Sequence, residues 1–294
     1  MSWIALTITA SFICSAVNVT DKYILSKLVK SPVVPVIITG AIGFIGSLII
    51  FAVHGIEPLS AKNIVLAFVG AGFQLAMIFL YFHAVKLEEI SKVVPLFYIM
   101  PFFTLLIAGV FLGEIFTASK YIGIVFLVSG AILISLKKPF SISFGRAFWF
   151  VIFSAFFLAI SQVIAKYLLG FASFWTIFAY TRTFVFVMLI PVILPNRRHF
   201  KELYKEKGIT PAGIISLNES LAIVSILLFT IAMSKGSVTL IAALSSIQPF
   251  FVLIFAVSLS LFRPNILTEE INRSTIFLKT VAIIIMFAGA ILIR

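Results

Sequence analysis

Cysteine and charge are both scarce in this sequence. Of its 294 residues one is a cysteine, Cys14, and only 11% are charged. A single cysteine excludes an intramolecular disulfide and any metal site built from several cysteines. A Walker loop, an HExxH pair, a Gly-x-Ser-x-Gly elbow and a dinucleotide fingerprint are also missing. We therefore expect no ATP-driven pump and no enzyme, and we expect neither a cofactor nor a bound metal.

Apolar residues dominate the composition. They make up 62% of the chain, and the mean hydropathy is +1.23. They fall in runs of about 20 residues, which is the length that a helix needs to cross a hydrocarbon core. Alternating segments of about 10 residues, as in a membrane β-barrel, do not occur in the sequence. The composition therefore predicts an all-α integral membrane protein.

Polar breaks divide the apolar runs into ten predicted spans. These cover residues 3–25, 33–53, 62–84, 90–112, 119–136, 147–168, 172–194, 210–233, 236–262 and 274–293. The longest connection, 195–209, is rich in Lys, Arg and Glu, and we predict a solvated helix there. Nearly all of the net charge of +12 lies in the short loops, which fits topology and contact with anionic lipid better than nucleic-acid binding.

Segments of the first half recur in the second half. Residues 84–108 match 232–256 at an offset of 148, residues 11–25 match 155–169 at an offset of 144, and residues 130–134 match 289–293. The chain therefore divides into two repeats of five spans, 1–138 and 139–294. Because five is odd, the second repeat enters the membrane from the opposite side. The sequence predicts ten transmembrane helices in two inverted-topology repeats, an architecture of secondary transporters.

Several short motifs lie in or beside these spans. They are Lys22 at the end of span one, Leu80–Lys86, Pro101-Phe102-Phe103 followed by Leu112-Gly113-Glu114, Tyr121–Ile124, Gly130–Ile134, and Arg182 in span seven. Together they resemble the EamA family of the drug/metabolite transporter superfamily. The resemblance covers nearly the whole chain and implies two inverted five-helix repeats that move small metabolites such as amino acids, often outward. The second half departs from the pattern, because Leu261-Phe262 stands where Gly-Glu is expected.

The charges in the loops bear on orientation. The loops after odd-numbered spans hold 16 Lys and Arg residues, and the other side of the membrane holds five. By the positive-inside bias, the odd loops are cytoplasmic and both termini are outside. The resemblance implies the reverse, with both termini in the cytoplasm, and we favour the charge count.

Charged residues inside the spans are the first candidates for a site, since each costs about 2.5–3.5 kcal/mol on insertion scales. Arg182 and Glu219 lie in spans seven and eight, where antiparallel packing would bring them to similar depth. They are either a cavity-facing pair, with Glu219 binding a proton or cation and Arg182 anchoring a carboxylate, or a charge pair that fixes helix register. We expect Asp21 to pair with a neighbouring lysine.

Uncharged polar residues complete the candidate substrate site. They are Asn18, Gln74, Tyr81, Tyr98, Gln162, Asn218, Ser225, Ser245, Ser246 and Gln248. The alternative reading of Gln74, Tyr81, Asn218 and Ser225 is interhelical hydrogen bonding between packed helices. Lys22 and Lys166 recur at equivalent positions, either to act in the site or to reach the lipid headgroups.

Pro101 and Pro249 lie inside spans four and nine. Each lacks a backbone donor, so we expect kinks that line or gate a cavity, or that improve packing only. The sequence as a whole favours a transporter of small metabolites that works by alternating access in the inner or plasma membrane. Alternatives are a cationic multidrug exporter and a membrane enzyme or scaffold that acts on lipid intermediates. We expect a monomer in the bilayer with a small-molecule substrate, possible proton coupling and no nucleic acid.

Overall fold

The structure is a computed structural model that describes residues 1–29, 31, 33–87, 96–135, 145–207, 209–262 and 273–294. Within those residues the chain is helical and forms no strand. The α-helices are α1 (Trp3–Tyr23), α2 (Val33–His54), α3 (Ala61–Leu87), α4 (Met100–Leu112), α5 (Ala118–Ser135), α6 (Arg146–Leu168), α7 (Phe174–Lys207), α8 (Ile209–Lys235), α9 (Val238–Ser245), α10 (Gln248–Phe262) and α11 (Arg273–Leu292).

The apolar helices correspond to the predicted spans. Within the described residues eight segments are long and apolar enough to cross a membrane, and the shorter helices Met100–Leu112 and Leu278–Leu292 lie in the fourth and tenth spans. The prediction of an all-α membrane protein is confirmed. The side chain of Lys22 and the start of the fourth span, up to residue 95, lie outside the described residues.

Three helix boundaries differ from the predicted ones. α1 continues as a π-helix over Ile24–Leu28, so Asp21 lies further from the helix end than its place in the apolar run suggests. α7 runs without interruption to Lys207, so the helix predicted for the connection is an extension of the seventh span. The ninth span is divided into α9 and α10, because the chain makes a turn at Ser246 and Ile247.

The two prolines begin new helices, which corrects the expectation of kinks within continuous ones. A turn at Tyr98 and Ile99 precedes α4, as the turn at Ser246 and Ile247 precedes α10. The amides of Phe102 and Phe250 donate to the carbonyls three residues earlier, at 3.0 Å in both cases. Each proline therefore lies in the first turn of a helix, where its missing N–H leaves no hydrogen bond unmade. The same break recurs at the offset of 148.

Helices at equivalent positions of the two halves pack against each other in opposite directions. In α2 and α7, Phe44 stacks on Phe186 and His54 stacks on Trp175, so later residues of α2 meet earlier residues of α7. In α5 and α11, the backbone of Gly123 meets Gly289, and Gly130 faces the earlier residues Met286 and Ala282. Both pairs are antiparallel.

The remaining contacts also recur between the halves. α3 packs on α6, and α1 packs on α8. Ser154 of α6 donates from Oγ to the carbonyl of Met77 at 3.0 Å, and Ser225 of α8 donates to the carbonyl of Ala10 in α1 at 3.0 Å. Ser154 aligns with Ala10 and Met77 with Ser225 at the offsets of the repeat. One interhelical hydrogen bond thus occurs twice, with the donor moved to the other helix.

These contacts define two helix groups. Bundle A consists of α3, α4 and α6, and bundle B consists of α1, α8, α9 and α10. The end of the molecule that carries Met1 and the α2–α3, α4–α5, α6–α7 and α8–α9 connections is called the N-terminal face, and the opposite end is called the lysine-rich face. At the N-terminal face the bundles share an apolar cluster of Leu6, Ala108, Val163, Ala232, Met233, Val238 and Ile241. These buried apolar contacts close the N-terminal face.

The close crossing of α5 and α11 leads to a first prediction. A Cβ at residue 289 would lie 2.7 Å from the Gly123 carbonyl oxygen and 2.8 Å from the Leu127 amide nitrogen, and neither backbone atom can move aside alone. We expect Gly289→Ala to destabilise the fold by about 1–3 kcal/mol, the usual cost of overpacking. Thermal unfolding in detergent measures it. The control is Gly46→Ala in α2, which has open space around its Cβ and should not lower the melting temperature.

Candidate functional site

α1 and α8 bring two acidic side chains together inside the membrane. The Asn218 Nδ2 donates to the Asp21 Oδ1 at 2.6 Å, and Glu219 is the next residue of α8. Asn218 and Glu219 are buried, and Asp21 is half-buried. Glu219 lies about 12 Å along α8 from Pro211, where the apolar part of the helix begins. The Asn218 amide therefore holds Asp21 beside the turn of α8 that carries Glu219.

The Thr39 hydroxyl of α2 completes the surroundings of Glu219. Its Oγ1 lies 2.5 Å from the Glu219 Oε2 and 2.9 Å from the Pro35 carbonyl oxygen. A hydroxyl has one proton to donate and two lone pairs that accept. When Glu219 is ionised, Thr39 donates to the carboxylate. When Glu219 is protonated, it donates to Thr39, which then donates to Pro35. The same positions of the atoms serve both protonation states.

Arg182 of α7 forms a second polar cluster. Its guanidinium Nη2 donates to the Gln74 Oε1 of α3, whereas its Nε is buried and has no hydrogen-bond partner. Gly43 of α2 makes room for the side chain, since a Cβ there would lie 3.1 Å from the Arg182 Cδ. The Phe178 ring lies 5.8 Å from the guanidinium carbon. The buried arginine thus keeps an unused donor.

The expected pairing of Arg182 with Glu219 is not what the structure shows. Arg182 donates to Gln74, and Glu219 accepts from Thr39. The two clusters nevertheless face the same side of α2, because Thr39 meets Glu219 and Gly43 meets Arg182. One helical turn separates their contact points, or about 6 Å. We call these two clusters, which contact α2 at neighbouring turns, the polar column.

Sequence reasoning missed two members of the polar column. Asp21 was expected to pair with a neighbouring lysine, and the structure shows that it accepts a hydrogen bond from Asn218; the side chain of Lys22 lies outside the described residues. The continuation of α1 as a π-helix to Leu28 places Asp21 within the helix. Glu219, the acidic residue in span eight, was the sequence signal that could have pointed to Asp21 as a member of the site. Thr39 was not singled out, since threonines in apolar spans usually bond their own helix backbone, as this one also does.

The other predicted site residues lie around the polar column or outside it. Asn18 is exposed on α1, and Tyr81, Tyr98 and Gln162 are half-buried. Ser225 is taken up by its bond to α1, and Ser245 bonds the Ala242 carbonyl at 2.7 Å. The Ser246 hydroxyl is buried without a partner, and the Gln248 carbonyl accepts from Ser15 of α1 at 3.1 Å. The serine-glutamine patch beside Pro249 is thus a contact between α1 and the ninth span.

Groups that would hold a metal do not occur in the described part of the chain, where no three His, Cys, Asp or Glu side chains cluster. The arrangement offers instead two acids, an amide, a hydroxyl and an arginine inside a helical membrane protein. Such groups bind polar solutes or protons.

Comparison with known proteins identifies the family of the first part of the chain. The EamA-like transporter family matches residues 1–136. These residues belong to that family. The EamA family is part of the drug/metabolite transporter superfamily, so the resemblance seen in the motifs is confirmed over residues 1–136. The chain is accordingly a multi-pass membrane protein of the transporter kind.

Structural comparison supports the fold over the whole length. A crystal structure that is 14% identical aligns with 99% of this chain and 96% of its own chain, with a TM-score of 0.74. At that identity the likeness concerns the fold alone. No curated protein sequence matches the chain.

Proposed function

We propose that this EamA protein is a secondary transporter of the inner or plasma membrane that moves a small solute by alternating access, with the polar column as its binding site. The observation that carries the proposal is the pair of carboxyl groups on α1 and α8, together with a buried arginine that contacts α2 one helical turn from the contact of Glu219. Groups so costly to insert in a membrane are kept where they bind substrate or ions.

The helix arrangement supports alternating access. Equivalent helices α2 and α7 are antiparallel, as are α5 and α11, which is the relation expected of inverted repeats. Because the halves share one plan, exchanging their conformations would close one face and open the other. The polar column lies between bundles A and B and the α2–α7 pair, where such an exchange changes access.

The chemistry of the polar column favours a small zwitterion such as an amino acid. The carboxyls of Asp21 and Glu219 suit an ammonium group, and the free Nε of Arg182 suits a carboxylate. In an α-amino acid the two charged groups sit on one carbon. With a hydrogen bond of about 2.8 Å at each end, the molecule spans a gap on the order of one helical turn.

A cationic drug is the second candidate, and the two neighbouring acids favour it. The aromatic rings of Tyr81 and Phe97, 5.5 Å apart between centroids, would add apolar contacts for such a molecule. In either case a proton on Glu219 or Asp21 would exchange with the amine, which couples export to proton entry.

The test is transport by purified protein in liposomes with an imposed pH gradient. We expect uptake of at least one amino acid, at a rate that depends on the gradient, from a panel of amino acids, sugars and cationic drugs. Movement of a drug but of no amino acid would favour the second candidate. Failure to move any solute of the panel would overturn the proposal.

A further inference from the structure

The turn between α8 and α9 creates a local need for charged partners. It lies at the N-terminal face and consists of Gly236 and Ser237. The last carbonyls of α8 and the first amides of α9 have no partners within their own helices. The C-terminal end of a helix attracts a cation, and the N-terminal end attracts an anion. Both arrive here from other parts of the chain.

The cation is Lys166, near the end of α6. Its Nζ donates to the carbonyl oxygens of Met233 and Gly236, at 2.7 Å each. The lysine therefore points into the protein, which corrects the expectation that it reaches for lipid headgroups. Trp3 covers the other side of the turn, where a Cβ on Gly236 would lie 2.8 Å from the indole Cγ.

The anion is Glu114, which follows α4. Gly113 ends α4 with a left-handed φ of 66° and turns the chain so that Glu114 points at α9. The carboxylate accepts from the amides of Val238 at 2.9 Å and Thr239 at 3.1 Å, and from the Ser237 hydroxyl at 2.6 Å. The Gly-Glu motif thus has a physical role as the cap of a helix in the other half.

Lys166 and Glu114, together called the latch, join the two bundles. Both belong to bundle A or to the chain that directly follows it, whereas the turn that they hold belongs to bundle B. Beneath the latch lies the apolar cluster that includes Leu6 and Val163. Charge-assisted hydrogen bonds and a dry apolar contact therefore close the same end of the molecule.

The residue of the second repeat that aligns with Glu114 is not acidic. By the offsets of 144 and 148, Lys166 aligns with Lys22, but Glu114 aligns with Phe262. An inverted repeat with identical halves would hold both faces with equal strength. Here a carboxylate stands at this aligned position only in the half that closes the N-terminal face.

We propose that the latch keeps the N-terminal face closed in the resting protein, so that solute reaches the polar column from the lysine-rich face first. Releasing the latch is the step that opens the second face. The place of this step in a transport cycle rests on the proposed function, whereas the closure of the N-terminal face stands on the contacts alone.

The experiment measures access to the closed end without any substrate. In a Cys14→Ser background, Leu6→Cys places one thiol in the buried cluster, and its reaction with a water-soluble maleimide is timed in nanodiscs. We expect Glu114→Gln to speed the reaction at least about tenfold, because the closed state loses the free energy of one charge-assisted hydrogen bond. In the parent both oxygens of Glu114 accept from backbone amides. A glutamine has one acceptor oxygen, so its amide nitrogen would lie against one of these N–H donors. Lys166→Met should act in the same direction, and Lys166→Arg should leave the rate near that of the parent.

Glu57→Gln is the matched control. Glu57 also caps a helix at this face, since its Oε2 accepts from the Ser173 amide at 2.8 Å before α7, and this bond lowers the pKa of the carboxyl. This bond joins the end of α2 to α7, and those two helices are already packed along their length, so losing it should leave the labelling rate unchanged.

Unchanged labelling in both Glu114→Gln and Lys166→Met, with melting temperatures near the parent's, would overturn the proposal. An equal rise in Glu57→Gln would overturn it too, because the effect would then be general loosening. Neither result depends on whether the protein moves a solute.

Discussion

Glu219→Gln will uncouple transport from the proton gradient and leave exchange of solute across the membrane intact. A glutamine is close to the protonated acid in shape, and its amide can donate to Thr39 while Thr39 donates to Pro35. The variant therefore keeps the fold and the neutral form of the site, but it cannot release a proton. We expect the stimulation by an imposed pH gradient to disappear, a loss of about 5- to 150-fold if the coupling free energy is 1–3 kcal/mol. Solute exchange without a gradient should proceed at a similar rate.

The control for this prediction is Glu57→Gln, which removes a carboxyl at the N-terminal face and should keep the pH dependence. Asp21→Asn separates the roles of the two acids. If Glu219 alone carries the proton, Asp21→Asn changes affinity for the solute and not the response to the gradient. A Glu219→Gln protein that still accelerates with the gradient would remove Glu219 from this role.

Hydropathy predicted the spans well because the cost of placing a residue in lipid depends on that residue and its depth. The number of helices, the chain segments that form them and the buried state of Arg182 and Glu219 followed from that cost alone. Their partners did not follow. A direct pair requires similar depth and matching rotation of two helices, and hydropathy constrains neither. In the structure Arg182 contacts Gln74 and Glu219 contacts Thr39 instead of each other.

Two further features depended on contacts between distant parts of the chain. The Gly113-Glu114 pair was visible as a motif, yet its partner is a helix more than 120 residues later, in the other half. The prolines looked like defects inside long helices, because the sequence does not show that the chain turns just before each of them. Both features depend on where a helix begins, because its first backbone amides have no partner within the helix. Tertiary packing decides where those helices begin, and the sequence pattern does not show it.

Arg182→Lys is expected to weaken the binding of an amino acid far more than that of the amine that lacks its carboxylate. Lysine keeps one positive charge but loses the planar fork and the Nε that is free in the parent. If that donor binds the carboxylate of the solute, removing it costs about 1.5–3 kcal/mol, or roughly 10- to 150-fold in Kd. The matching amine binds only at Asp21 and Glu219, so its Kd should change by less than about twofold. Ligand-dependent shifts in thermal stability measure both affinities in one preparation.

The buried position of Arg182 calls for two controls. Because Gln74 would be left without its donor, the double variant Arg182→Met with Gln74→Leu replaces both partners by apolar side chains and tests the site with less strain on the fold. It should also lose amino-acid binding and keep amine binding. Lys235→Met, at the exposed end of α8, removes a cation outside the polar column and should change neither affinity. An equal loss for the amino acid and the amine would mean that Arg182 shapes the site without contacting the carboxylate. The second candidate, a purely cationic solute, would then be the better account of the two acids.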